Sequence, residues 1–324
     1  MIEILPLDPA RYERHPIHGE GRIWAETNCF VDLWVELIHA SGMEPIAALP
    51  FTLAIDFEGD QWTFFKFPFG DLDRLFGLDV QELAIWRPLA QHLDEQLRRG
   101  RHVLVELDSF WLPDTAGTAY QREHTKTTIG VNALDLESRS LGYFHNQGYY
   151  RLEGEDFERL LRLGEARGPG NLPPYTEFAK RRDSSPPRGR DLIDASIECL
   201  RRQLRLVPAS NPFPRFKERF EADLAWLTRE SLETFHQYSF ATLRQFGACY
   251  ELASTYLRWL EAADSRPSLG VAATALEKIA TEAKALQFQL ARCVSRKKPL
   301  DLGPIDGLAE AWKIALETVV AVYR

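Results

Sequence analysis

The chain has 324 residues, 45% of them hydrophobic, with a formal net charge of -8 and a pI near 5.6. That length suggests about two domains, and the acidic balance argues against nucleic acid as the main partner. No apolar run is long enough to span a bilayer, so no membrane role is expected; Met1 to Arg14 lack the basic-then-apolar pattern of a secretory signal, which makes the cytoplasm the default location.

Residues 1 to 25 read as an irregular entry carrying His15 and His18. No helix presents this H-x-x-H pair on one face and no third ligand follows, so no metal site is expected. From Glu26 to Ile38 the pattern changes. Phe30, Leu33, Trp34, Leu37 and Ile38 recur at helical spacing, and Thr27 or Asn28 can cap the free N–H groups. Cys29 then falls in the first turn, where amide groups and the helix dipole favour negative charge. A nucleophilic thiol would be placed there; the alternative is a small core hydrophobe. Beyond Ser41-Gly42, the runs 51–57 and 61–67 around Glu58-Gly59-Asp60 predict a hairpin. The leucine pattern of 71–99 predicts helix, stopped at Gly100.

Alternation in 102–108, in about 126–133 and in 141–145 predicts an antiparallel meander. His124 lies just before its second strand and His145-Asn146 close the third. A short helix is expected over 153–163. From Gly164 to Arg190 the composition shifts to Gly and Pro, with Gly168, Pro169, Gly170, Pro173, Pro174, Pro186 and Pro187, which marks a linker over 166–190. It carries a basic island: Lys180, Arg181, Arg182, Arg188 and Arg190. After Asp191 the reading is all helix, with stripes such as Ile193, Ile197, Leu200 and Leu204, or Leu308, Trp312, Leu316 and Val320. Four cysteines, Cys29, Cys199, Cys249 and Cys293, show neither a disulfide framework nor zinc-ligand spacing, and the last three are expected to be packing residues. The expected domains are 1–165, α+β, and 191–324, all-α.

A thiol nucleophile needs a base in reach and a group that orients the base. Cys29 opens a helix, His124 opens a later strand and Asn146 ends the following one; this Cys-His-Asn order, helix before sheet, resembles the papain-like cysteine fold. The stretch from His124-Thr-Lys-Thr-Thr-Ile-Gly-Val-Asn to Tyr143-Phe-His-Asn-Gln-Gly-Tyr-Tyr, followed by Glu155-Asp-Phe157, is similar to the layout of bacteriocin-processing leader peptidases. Asp108-Ser-Phe-Trp-Leu-Pro113 before the histidine resembles the Asp-x-x-x-Leu-Pro run of butirosin biosynthesis protein H-like acyltransferases. As a whole the chain looks like an uncharacterised bacterial family associated with amino acid:carrier-protein ligases. The resemblance spans roughly residues 20 to 160. It departs from the pattern where the Asp of those enzymes reads His145-Asn146, so Asn146, His145 or Asp108 can orient His124. Gly21-Arg22-Ile23 stands where papain-like enzymes carry an oxyanion-hole glutamine, leaving the Cys29 amide with Asn28 or Thr27 as candidate donors. Glu106 and Asp108 are further candidates for substrate binding.

The resemblance implies a thiol-dependent acyltransferase. In that reading Cys29 takes an acyl or aminoacyl group from a carrier-protein thioester and passes it to a small-molecule amine. The phosphopantetheine arm of the carrier is then substrate and no tightly bound cofactor is needed. The basic island is the candidate docking point for an acidic carrier. A cysteine peptidase or amidase using the same residues, and a non-catalytic carrier-binding module, are the alternatives.

Overall fold

A computed structural model describes residues 1–164, 172–264 and 268–324. It is α+β: an antiparallel seven-stranded sheet with helices, followed by a helical C-terminal region. The chain forms two compact units, and it visits both of them more than once. One comprises Met1–Gly19, Asn28–Pro45 and Phe69–Pro186; the other comprises Glu20–Thr27, Ile46–Pro68 and Pro187–Arg324.

In the first unit the strands are β1 (Ile2–Glu3), β2 (Leu78–Glu82), β3 (His102–Asp108), β4 (Lys126–Asp135), β5 (Ser140–His145), β6 (Gly148–Glu153) and β7 (Thr176–Arg181). The order is β2-β7-β3-β4-β5-β6, with β1 pairing β4 at its far end. The predicted meander is β3-β4-β5, and β6 extends it through a two-residue turn. Helix α1 (Cys29–Ala40) covers one face. Gly130 of β4 makes room for it, because a Cβ there would stand 2.5 Å from Leu33 Cδ1 and 3.6 Å from Leu37 Cδ1. Val103, Val105, Ile129, Val131 and Tyr143 point the other way, into a core with α3 (Leu89–Arg98) and α4 (Gly154–Leu160).

Asn132 interrupts the β4–β5 register. It is fully buried. Its Nδ2 donates to Leu5 O (2.9 Å) and Tyr149 Oη (3.0 Å), while its Oδ1 accepts from Leu5 N (2.9 Å) and lies 3.2 Å from His102 Nε2. A bulged residue is free of ladder duty and can hold a neighbouring segment instead.

The second unit contains α5 (Gly189–Gln203), α6 (Pro212–Leu227), α7 (Leu232–Ser239), α8 (Gln245–Ala263), α9 (Gly270–Arg296) and α10 (Gly303–Tyr323). Its core is strongly aromatic: Trp62 packs against Phe213, Phe246 and Phe216 with ring centroids 4.9 to 5.7 Å apart. Gly247 lies under Trp24, where a Cβ would stand 2.5 Å from the indole. Cys199, Cys249 and Cys293 are buried. No helix among the described residues is long and apolar enough to cross a membrane.

Three sequence expectations are corrected. Of the hairpin over 51–67 only the turn at Glu58-Gly59-Asp60 forms, closed by one antiparallel bridge between Phe57 and Trp62; the expected first strand is instead the end of an irregular 3-10 stretch, Pro45–Leu53. Most of the apolar residues in 51–67, Phe64 excepted, are buried in the second unit, so their alternation carried little strand signal. The helix over 71–99 is α2 (Phe69–Phe76), strand β2 and α3; Gly77, at φ 63, ends the first helix and Pro88 precedes the second. The linker over 166–190 contains β7, which pairs both β2 and β3, so Lys180 and Arg181 are strand residues. Gly168, Pro169 and Gly170 lie outside the described residues.

Candidate functional site

Asp108, the last residue of β3, stands opposite Lys126, the first of β4. Between them the chain folds back through two short 3-10 turns, Ser109–Trp111 and Pro113–Thr115, and is tied by Ser109, whose N and Oγ both donate to Thr125 O (2.9 and 2.8 Å). This closure brings His124 to Asp108, with Nδ1 2.6 Å from Oδ2. The imidazole also stacks on Phe110, ring centroids 4.3 Å apart and 11° from parallel. Asp108 Oδ1 accepts from Phe110 N at 3.1 Å. The carboxylate is thus fixed by backbone, and the ring by the carboxylate and a phenyl face. With Nδ1–H donated to Asp108, the lone pair lies on Nε2, which has no hydrogen-bond partner among the described residues.

His124 and Asp108 line a cleft of about 680 Å³. Leu107, Trp111, Leu89 of α3 and Leu160 of α4 also line it, together with Arg87, Arg159 and Arg162. Glu106 pairs with Lys126 at 2.8 Å in the same wall.

Cys29 is the first residue of α1, and of the four cysteines it alone is not buried. Asn28 caps that helix, its Oδ1 accepting from Val31 N at 2.9 Å. Leu104 pairs with Gly130 in the β3–β4 ladder, so alternation directs Leu104, Glu106 and Asp108 toward the face that α1 covers. Cys29 is not among the residues lining the cleft, and no hydrogen bond joins it to His124 among the described residues. Thr27 is buried and its carbonyl accepts from Arg244 Nε at 3.2 Å.

Of the three candidates for orienting His124, Asp108 holds the ring. Asn146 is the first residue of the β5–β6 turn, at φ 46, a backbone conformation that Asn tolerates well. His145 is buried, with Nδ1 2.5 Å from Asp114 Oδ2 and Nε2 2.7 Å from Thr127 Oγ1. The basic island is partly spent. Arg182 forms a fork with Asp73 (2.8 and 3.0 Å), and Arg190 pairs with Asp194 (2.8 Å) and Asp264 (3.3 Å). Arg188 precedes the first turn of α5.

Residues 13–181 match the DUF1839 N-terminal domain and residues 189–321 match the DUF1839 C-terminal domain. The chain belongs to the DUF1839 family. No curated protein matches it.

In this DUF1839 chain the helix that carries Cys29 is anchored by a buried charge network that sequence reading did not find. His18, 2% exposed, places Nδ1 against Glu36 and Nε2 3.2 Å from Asp32 Oδ1, both on α1. Tyr12 Oη donates to Glu36 Oε2 at 2.6 Å, and His15 N donates to the same carboxylate at 3.1 Å. Burial pulls the His18 imidazolium down, yet the hydrogen bonds and charges of Asp32 and Glu36 outweigh it and push the group up to about 9. The H-x-x-H pair is therefore structural: His15 Nε2 lies 3.6 Å from Glu44, and His18 is consumed by α1. The signal was present as Asp32 and Glu36, four residues apart on a helix face that otherwise reads as apolar. Asp114 and Phe110 were also missed, because each acts through a turn whose path the sequence does not reveal.

Proposed function

We propose that this protein transfers an acyl or aminoacyl group from a thioester to an amine, with His124 moving the proton and Asp108 holding its ring. The observation that carries this reading is the 2.6 Å Asp108–His124 hydrogen bond at the mouth of a cleft, with Nε2 left open. The papain-like order of helix and sheet supports the choice of nucleophile. Gly130 lies six residues after His124 and seats α1 through Leu33, one turn on from Cys29. In the first step His124 Nε2 takes the Cys29 thiol proton, the sulfur attacks the thioester carbonyl, a new S–C bond forms as the carrier S–C bond breaks, and the departing carrier thiolate takes that proton from His124. In the second step the amine attacks the carbonyl carbon of acyl-Cys29, His124 accepts the amine proton and returns it to the Cys29 sulfur as the C–S bond breaks, and amide and free thiol result. The donor is a carrier protein presenting the thioester on a phosphopantetheine arm, and the acceptor is a small-molecule amine.

A second route is favoured by the absence of a hydrogen bond between His124 and Cys29. In it His124 deprotonates the amine, which attacks the carrier thioester directly without an acyl-enzyme. Incubation with an N-acetylcysteamine thioester, followed by intact-protein mass spectrometry, separates the two. A covalent acyl adduct that maps to Cys29 and disappears in Cys29→Ala and on addition of amine supports the first route. Transfer undiminished in Cys29→Ala leaves only the second. Full activity in His124→Gln removes both, because a positioned base contributes roughly 10²- to 10⁴-fold.

A further inference from the structure

The geometry points to an oxyanion subsite in the same cleft, centred on Arg87 and Arg159, that recognises a phosphate or carboxylate on a ligand with an apolar body. It rests on the preceding reading only in treating that ligand as part of the donor or the acceptor. The two acids of the cleft wall are already engaged, Glu106 by Lys126 at 2.8 Å and Asp108 by His124 at 2.6 Å. The arginines are not matched in that way. Arg87 has no carboxylate partner among the described residues; its guanidinium stands over the Trp86 ring at 5.4 Å, and its Nε is buried without a hydrogen bond. The segment that presents it is held by His92, whose Nε2 accepts from Trp86 N and Arg87 N at 3.3 and 3.4 Å. Arg159 stands over Trp111 at 5.9 Å, and its carboxylate partner is the exposed Glu155 at 3.5 Å.

Arg87 is half-buried, a guanidinium with a buried Nε left unmatched is costly, and a fork-shaped oxyanion acceptor relieves that cost with two parallel hydrogen bonds. Ile85, Leu107 and Trp111 give the same cleft an apolar wall. On a chain of net charge -8, a cleft whose uncompensated charge is positive selects for anions. The class of ligand follows: an apolar or aromatic body along Trp111 and Leu107, one terminal oxyanion on Arg87 and Arg159, and its reactive carbon toward His124.

The test uses the full chain and three probes: phenyl phosphate, phenylacetate and the neutral phenylacetamide, with binding followed by calorimetry. Saturable binding of at least one anion, at least tenfold tighter than the amide, is expected in the wild type. Arg87→Gln should weaken that anion tenfold or more. Arg87→Lys should recover only part, since it restores charge without the fork. Preference for phenyl phosphate assigns the site to the phosphate of the donor arm, and preference for phenylacetate assigns it to the carboxylate of an amino acid. Equal affinity for anion and amide, no saturable binding, or unchanged affinity in Arg87→Gln with an intact melting transition overturns the proposal. Cys29→Ala should bind the probes as the wild type does. Lost transfer with intact anion binding therefore fails the acyl-transfer reading alone, and lost anion binding with intact transfer from uncharged thioesters fails this one alone.

Discussion

Replacing His18 by Gln tests whether the helix bearing Cys29 is held by a buried ion pair. The folded protein keeps His18 protonated up to about pH 9, whereas an unfolded histidine releases its proton near 6.5. At about 1.4 kcal/mol per pH unit, the difference corresponds to roughly 3 kcal/mol of stability. Because the folded value is the higher one, this stabilisation is complete below pH 6.5, falls as the pH rises, and is gone above about pH 9. The other groups facing the pair are Tyr12, whose hydroxyl burial and Glu36 keep protonated throughout, and His15, which meets Glu36 through its backbone N–H. Urea unfolding at half-unit steps from pH 6 to 9.5 should show wild-type stability declining across that window. His18→Gln should start about 3 to 5 kcal/mol lower at pH 6.5, since Asp32 and Glu36 lose their cation, and should then stay flat. Parallel pH profiles for the two proteins, or a variant within about 1 kcal/mol of wild type at pH 6.5, would refute the reasoning.

Burial holds His102 down to about 4, so it is neutral in the fold, and its contribution has the opposite sense: stability is lost as pH falls from 6.5 toward 4. His102→Gln should flatten that acid limb relative to wild type in the same urea titrations. Gly130→Ala should lower stability by about 1 to 3 kcal/mol through overpacking against Leu33, and Leu33→Ala in the same chain should return part of the loss; simple additivity in a double-mutant cycle would contradict the packing described. Two further histidine–aspartate pairs should separate. Asp114, buried between Tyr143 Oη and His145, is expected to cost roughly 3 to 5 kcal/mol when changed to Ala. Asp108→Asn, at a largely exposed pair, should cost less than about 1 kcal/mol by thermal melting yet slow transfer roughly 10²- to 10⁴-fold.

The sequence was most legible where local pattern and global packing agree. Helix α1 begins where the capped stretch places it, with Asn28 as the cap, and β3, β4 and β5 follow the alternation of their residues. Legibility failed where residues are buried on all sides. Phe51, Phe57, Trp62, Phe65 and Phe67 are all core, so neither period 2 nor period 3.6 survives in them. It failed again at β7, where Pro173 and Pro174 suggested a linker although Thr176–Arg181, beginning two residues later, complete the ladder between β2 and β3. In the site, the Asp108–His124 partnership was one of three open alternatives. The choice depended on the return of the 109–125 loop, set by Ser109 and Thr125. Arg87 and Arg159 come from the approach to α3 and from α4, separated by about seventy residues, and no spacing rule joins them.

The alternating path of the chain also limits how the protein can be taken apart. Cutting after Pro186 would leave residues 20–27 and 46–68 on the N-terminal piece, and with them Trp24, Phe57 and Trp62, whose buried surfaces belong to the other unit. Neither half could then be produced as a clean fragment: one would carry stranded aromatic surface prone to aggregation, the other would lack part of its own interior. The second unit's interior is written into early and late stretches of the polypeptide alike, so synthesis must reach the C-terminal helices before the early aromatic residues find their partners.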